Sequence, residues 1–593
     1  MPSGHIVISQ VYGGGGNPGA VYKSDFIELF NPGPSAVSLA GWSVQYTSAS
    51  GGDWQVTDLT PINLLPRQYY LVQEASGAVG VDVPPPDSSG PIQMDEGAGK
   101  VALVRSTSPL LGACPNPIIF PIEDFVGYGP TATCFEGLGP APAPSNTISD
   151  WRKVNGCQDT NQNVNDFLTG VPEPRNTSVF GPCTTVQFSD AGYSVNEGGG
   201  SVTITVTRSG ETGVVTTVDY DTSDGTAEQR SDYILASGTL TFAAGETSKT
   251  FTVLIEDDVY VEGPETVKLT LSNPSNAGYG IPDSFPPLYS SSAAVLTIID
   301  NDTSAPTVNP LDTRRRADPE DGFASTVNGI FFVTQHYYDF LSRVPDAGGL
   351  AFWTNEITSC GTDQVCIQLK RINVSAAYFL SIEFQQTGYL VERIYKAAYG
   401  DANGSSTFGA PHQLPAPVVR YSEFMPDTQR IGQGVVVGQT GWEQALENNK
   451  QNFTAKFVQR SRFSSALPTT MTPAQFVDKL NQNAGNVLSS SERTTAINLF
   501  GSATDTSNTT TRAGVLRQVA ENSTLVTNEF NRAFVLMQFF GYLRRDPNSG
   551  QDTDYTGYDF WLTKLNQFNG NFVAAEMVKA FITSTEYRQR FGP

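Results

Sequence analysis

At 593 residues the chain exceeds what one hydrophobic core ordinarily organises, so three or more domains are expected. Lys and Arg total 36 against 59 Asp and Glu, and the formal charge of −23 excludes a generally basic nucleic-acid binder. Hydrophobic residues at 39% exclude wholesale disorder, while 16% charged residues beside 56 Gly and 38 Pro favour short strands joined by turns.

Residues 5–183 alternate short apolar runs with Gly/Pro-rich turns. His5-Ile6-Val7-Ile8-Ser9-Gln10-Val11-Tyr12 predicts a strand, followed by a glycine loop over 13–19. Phe26-Ile27-Glu28-Leu29-Phe30-Asn31, Gly41-Trp42-Ser43-Val44, Tyr69-Tyr70-Leu71-Val72 and Val101-Ala102-Leu103-Val104 continue the series, as in an antiparallel sandwich or barrel. Through Ile6–Gly14, Asp25–Asn31 and Leu39–Val44 this zone resembles a lamin-tail domain in its bacterial, secreted form. The resemblance implies an immunoglobulin-like scaffold used for attachment, with no catalytic residues to carry over. Further on, Asp159-Thr160-Asn161-Gln162-Asn163-Val164-Asn165-Asp166 spaces oxygen-bearing side chains as calcium loops do. It lacks the Gly at position six and the distal Glu, so Asx-turns are the expected outcome.

Residues 186–303 carry a clear period of two. Val202, Ile204 and Val206 alternate with threonines, and Phe251-Val253-Ile255, Val267-Leu269-Leu271 and Leu296-Ile298 repeat the rule, which predicts a second two-sheet sandwich. Its acids are concentrated. Glu256, Asp257, Asp258, Glu262 and Glu265 crowd one inter-strand loop, Asp300 and Asp302 follow the last strand, and Glu197 lies in the first turn. Antiparallel strands bring alternate loops to one end, where gathered carboxylates raise each other's pKa unless a cation intervenes. Calcium, with six to eight oxygens at flexible geometry, suits such a cluster better than magnesium; a solvated acidic end is the plainer alternative.

Tyr193-Ser194-Val195-Asn196-Glu197-Gly198, Ser231-Asp232-Tyr233, Ile255-Glu256-Asp257-Asp258, Val261-Glu262-Gly263-Pro264-Glu265-Thr266 and Ile299-Asp300-Asn301-Asp302 resemble a Calx-beta domain. What the resemblance implies is a Ca2+ ligand set of Glu197, Asp232, Glu256, Asp257, Asp258, Glu262, Glu265, Asp300 and Asp302. The chain departs from the sodium–calcium exchanger's domain in having Glu256 for an Asp and in Asn301, which keeps an oxygen but loses a charge. A passive spacer is the competing role.

Residues 304–324 are expected to be a linker, with a solvated Arg314-Arg315-Arg316 run. From 325 to 593 the period becomes helical. Phe332 to Arg343 has a near copy in Phe534 to Arg545, continued by Pro345-Asp346 against Pro547-Asn548, Phe352-Trp353 against Phe560-Trp561, and Ser381-Ile382-Glu383-Phe384 against Ser584-Thr585-Glu586-Tyr587. Weaker starts lie at Val391 and Gln475. The duplication predicts an all-α repeat region, arranged as packed bundles or an array. Tyr337, Leu341, Arg343, Pro345, Asp346, Gly349, Leu350 and Trp353 write a pattern that resembles the DUF4214 family, helical and found in exported and surface-layer-associated bacterial proteins. Arg343 and Arg545 are each expected to pair with a carboxylate at a helix end, and the Trp residues to fill core. His336 is expected to be a packing histidine.

Motif absences narrow the chemistry. His5, His336 and His412 are far apart and none opens an HExxH spacing, and no GxSxG elbow or phosphate-binding GxxxxGK loop occurs. These absences favour a non-catalytic chain, with carboxylate-only chemistry, which needs no His, left open. The six cysteines form no CxxC pair. Even numbers in two groups fit disulfides within domains, with Cys360–Cys366 as one; Cys114, Cys134, Cys157 and Cys183 permit three connectivities, and buried free thiols are the alternative. No apolar stretch reaches the roughly 18 residues that cross a bilayer, and Met1-Pro2-Ser3-Gly4 enters a strand at once, as in a mature or truncated form of an exported precursor. The expectation is a secreted, calcium-binding, non-catalytic cell-surface or matrix scaffold contacting protein, glycan or a second copy of itself, with no nucleic acid. The alternatives are a self-assembling filament or surface-layer subunit, and a polysaccharide-binding protein.

Overall fold

The computed structural model describes residues 5–33, 35–181, 183–210, 212–275, 278–279, 292–303, 309–311 and 329–592. Arg314-Arg315-Arg316 and most of the expected linker lie outside the described residues.

The N-terminal region is two facing sheets. Six strands run in the order Phe167–Gly170, Ser149–Arg152, Val7–Tyr12, Ser24–Phe30, Tyr69–Ser76, Ser88–Ser89, and four in the order Ile122–Tyr128, Gly99–Val104, Ser43–Ser48, Gln55–Asp58. Alternate residues of each strand meet between the sheets: Ile8, Ile27, Leu29, Val44, Val101, Leu103 and Val126 are fully buried in one cluster. All six cysteines pair, as Cys114–Cys134, Cys157–Cys183 and Cys360–Cys366.

The middle region is a second sandwich of two five-stranded sheets. One is ordered Tyr233–Ile234, Ser248–Ile255, Ser201–Gly210, Thr184–Phe188, Gly278–Tyr279; the other Gly192–Asn196, Ala293–Ile299, Glu265–Ser275, Thr216–Asp224, Ser237–Phe242. Ile204, Val206, Val253, Val267, Leu269 and Leu296 are buried between them, and Tyr220 stacks on Phe251 at 4.0 Å. The alternation of period two thus maps onto the core face as expected.

The C-terminal region is helical, and its two sequence copies fold alike. Helix Ile330–His336 runs into a π-helical turn over Tyr337–Leu341, and helix Ser523–Met537 into one over Gln538–Tyr542. Arg343 grips Glu383 through two hydrogen bonds of 2.8 and 2.9 Å, and Arg545 grips Glu586 at 2.7 and 2.9 Å. Ser381 and Ser584 cap the short helices that present those glutamates. The copies do not form a linear array: Phe340 of one lies against Gly541 of the other, and the helices share one continuous core. One short hairpin, Ala402–Ser406 with His412–Ala416, is inserted among the helices, and its turn uses Gly409 at φ 73°. His336 is a packing residue: one ring nitrogen meets the Phe332 carbonyl and the other the Ser375 hydroxyl, each at 2.7 Å, and burial lowers its pKa to about 4. Trp353 and Trp561 are partly buried against the core.

Candidate metal centre

The pairing of strands explains how distant acids meet at one end of the middle sandwich. Gly192–Asn196 and Ala293–Ile299 run parallel with Asn196 opposite Ile299, so Glu197 and Asp300 leave the sheet side by side. Tyr233 lies opposite Ile255, so Asp232 and the 256–262 loop also leave together. Glu265 opens the strand that pairs with Ile298. Gly200, at φ 69°, closes the tight turn begun by Glu197, a conformation that favours glycine.

Six of the nine expected ligands gather into two triads. Glu197, Asp300 and Asp302 bring carboxylate oxygens within 4.8 Å of one another, and so do Asp232, Asp258 and Glu262. Hydrogen bonds tie the triads together: the Asp258 amide donates to Glu197 Oε1 at 3.0 Å, and the Glu262 amide donates to Asp300 Oδ2 at 2.6 Å. Others shape each loop. The Tyr260 amide donates to Asp258 Oδ1, the Asp302 amide to Asp300 Oδ1, and the Glu228 amide to Asp232 Oδ2.

The other three expected ligands belong to neither triad. Glu265 is adjacent to Asp232, whose charge and hydrogen bond, after burial, help to push its carboxyl up to about 8. Asp257 accepts a hydrogen bond from Asn301 Nδ2 at 3.3 Å. Glu256 points the other way, into the helical region, where its carboxylate receives Arg544 at 2.9 Å and Arg590 at 2.8 and 3.0 Å. Two guanidiniums take up its oxygens, so Glu256 is a residue of the domain interface and is not gathered with the triads.

The electrostatics are those of a site short of positive charge. Glu197 is pushed to about 7, chiefly by burial and then by Asp300, Asp302 and Glu262. Asp258 is pushed to about 8 by burial and by Glu197, Glu262 and Asp232. Glu262 and Asp302 are raised for the same reasons. Among the described residues, no Lys or Arg forms an ion pair with Glu197, Asp232, Asp258, Glu262 or Asp300. The donor set is all oxygen, on loops rather than rigid strands, which suits calcium.

A third acidic group, Asp124, Glu136 and Asp159 in the N-terminal sandwich, has a cation of its own. Fully buried Arg152 reaches Asp124 at 2.6 Å and Asp159 at 3.2 Å, and His5 meets Asp159 at 3.0 Å. The 159–166 stretch is a turn that runs into the short helix Asn163–Asp166, with the Asn161 amide on Asp159 and the Thr160 and Gln162 amides on Asp166. The sequence offered no signal for Arg152 as the hub, since its partners come from three separate segments.

Known proteins match in two places. A family model for the Lamin Tail Domain matches residues 1–110, and one for the Calx-beta domain matches residues 183–302. Extracellular matrix protein 3 of Lytechinus variegatus is 33% identical over 20% of this chain and 4% of its own length. Sodium/calcium exchanger 1 of Mus musculus is 38% identical over 16% of this chain and 10% of its own. The chain thus spans a tenth or less of the length of these two relatives. The crystal structure of the apo-form Calx CBD1 domain is 28% identical, with a TM-score of 0.18, covering 20% of this chain and 98% of that one. The chain therefore carries a lamin-tail segment and a Calx-beta segment ahead of a helical region.

Proposed function

We propose that the protein is an extracellular, calcium-binding, non-catalytic scaffold or adhesion protein, with one calcium ion held by each carboxylate triad. The observation that carries this reading is the pairing of two triads across one sandwich end, with Glu197 and Asp258 driven to about 7 and 8 by burial and mutual repulsion. Near neutral pH such groups hold protons or a cation, and a divalent ion removes the repulsion from both triads at once. Glu197, Asp300 and Asp302 would hold one ion, and Asp232, Asp258 and Glu262 the other. Three disulfides and the matrix-protein relative support an extracellular setting. The exchanger relative supports calcium as the ion. In this reading the N-terminal sandwich attaches, the middle sandwich stiffens on binding calcium, and the helical region contacts a protein or glycan.

Calorimetric titration of the full chain with calcium tests the proposal. Binding of two ions is expected, with Asp300→Asn weakening one and Asp258→Asn the other. Absence of saturable binding rejects it.

A further inference from the structure

The helical region holds the loops of one triad from behind. Arg544 donates to the carbonyls of Gln229 at 2.8 Å and Tyr233 at 3.4 Å, and Arg590 donates to that of Arg230 at 3.0 Å. Asp232 lies within the segment so held. The same two arginines grip Glu256, two residues before Asp258, and the Glu256 amide donates to the Asp232 carbonyl at 2.9 Å. Gly592 lies so near the following turn that a Cβ there would stand 2.7 Å from Val259 Cγ2. Beside the other triad, the Tyr338 hydroxyl donates to the Gly200 carbonyl at 3.1 Å, in the turn begun by Glu197.

This grip is buried and nearly self-neutral. Asp339 receives Arg544 at 2.9 Å and Arg590 at 3.0 Å, so two guanidiniums face two carboxylates, with Gln335 bonded to both acids. Glu256, Asp339, Arg544 and Arg590 are each at most 5% exposed. Because its charges cancel, the network lends little counter-charge to the triads; what it supplies is position. The two helical copies divide the task. Where the first has Asp339 the second has Gly541, and where the second has Arg544 the first has Ser342.

We propose that Arg544 and Arg590 are positioning residues for the Asp232–Asp258–Glu262 triad, so that cation binding and docking of the helical region are one linked equilibrium. The proposal rests on the calcium reading above. Linkage is reciprocal: if docking tightens the ion, the ion tightens docking by the same factor. The sign of the effect separates this role from plain electrostatics. Removing a positive charge near an acidic cluster would by itself tighten a cation, whereas loss of positioning weakens it.

The test uses the full chain and calcium alone. Calcium affinity is measured by calorimetry for the native protein, Arg544→Gln, Arg590→Gln and Tyr338→Phe. Backbone hydrogen exchange is followed at 337–341 and 585–588, with calcium and with chelator. We expect affinity at one site to fall about tenfold in either arginine variant, a smaller fall in Tyr338→Phe, and slower exchange in both helical segments of the native protein with calcium. Saturable calcium binding with unchanged or tighter affinity in the variants, or with exchange in the helical segments indifferent to calcium, overturns the coupling and leaves the calcium reading intact. No calcium binding by the native protein removes both. The exchange measurement needs no variant, so the coupling stays open to refutation even where an arginine variant misfolds.

Discussion

Replacing Asp258 by asparagine should stabilise the calcium-free protein and abolish much of its response to calcium, two effects of opposite sign from one substitution. Asp258 is 3% exposed, and its carboxyl holds a proton up to about 8 instead of the ordinary 3.8. A carboxyl raised on folding favours the native state fully below its unfolded pKa, and that contribution is lost as pH rises towards the folded value. The calcium-free protein therefore weakens from about pH 4 to about pH 8. At about 1.4 kcal/mol per pH unit, the ceiling on the loss near pH 7.5 is about 5 kcal/mol. Glu197, Glu262 and Asp232 share the same repulsion and relax when one charge goes, so a gain of about 2–3 kcal/mol is the expected outcome. Asparagine keeps an oxygen to accept the Tyr260 amide, so the loop geometry is retained. With calcium the gap closes, because the variant lacks a ligand with a full charge, whereas the native protein gains about 2.7 kcal/mol per site at a hundredfold excess over Kd. Calorimetric melting of both proteins at about pH 6 and pH 8, with calcium and with chelator, reads all of this. A variant that melts lower than native in chelator near pH 8, or that responds to calcium as the native protein does, would refute the reasoning.

Two further outcomes are expected. Arg545→Met should cost about 2 kcal/mol of stability, since the partly buried Glu586 loses its bidentate partner and keeps only Arg230, whereas Arg493→Met, from an exposed pair with Asp478, should leave the melting temperature unchanged; equal effects in thermal melts would refute the contrast. Asp150→Val should raise the melting temperature of the N-terminal sandwich, because both carboxylate oxygens are buried without a hydrogen-bond partner and burial raises the pKa well above the usual range. That gain should grow as pH rises from the ordinary carboxylate range towards neutrality, and a lower melting temperature for the variant at neutral pH would count against the burial argument.

Much of the candidate site is legible in the sequence because its placement follows from strand alternation. Once Val202, Ile204 and Val206 set the register of a sandwich, the loops holding Glu197, Asp258, Glu262 and Asp300 have to emerge at a common end. That Arg343 and Arg545 each meet a carboxylate was also readable from their place in the repeat, while the partners, Glu383 and Glu586, are given by the structure. Glu256 was not readable. On local grounds it belongs with Asp257 and Asp258, and the residues that claim it lie 288 and 334 positions away.

The sequence by itself determined two β-sandwiches, a duplicated helical region and an acidic cluster, since each rests on periodicity or on neighbours a few residues apart. Only the tertiary structure decided which carboxylates meet an arginine and which are left to repel one another. That choice depends on how the sandwich docks against the helices, and the burial of a guanidinium beside one glutamate and not the next leaves no mark on local pattern.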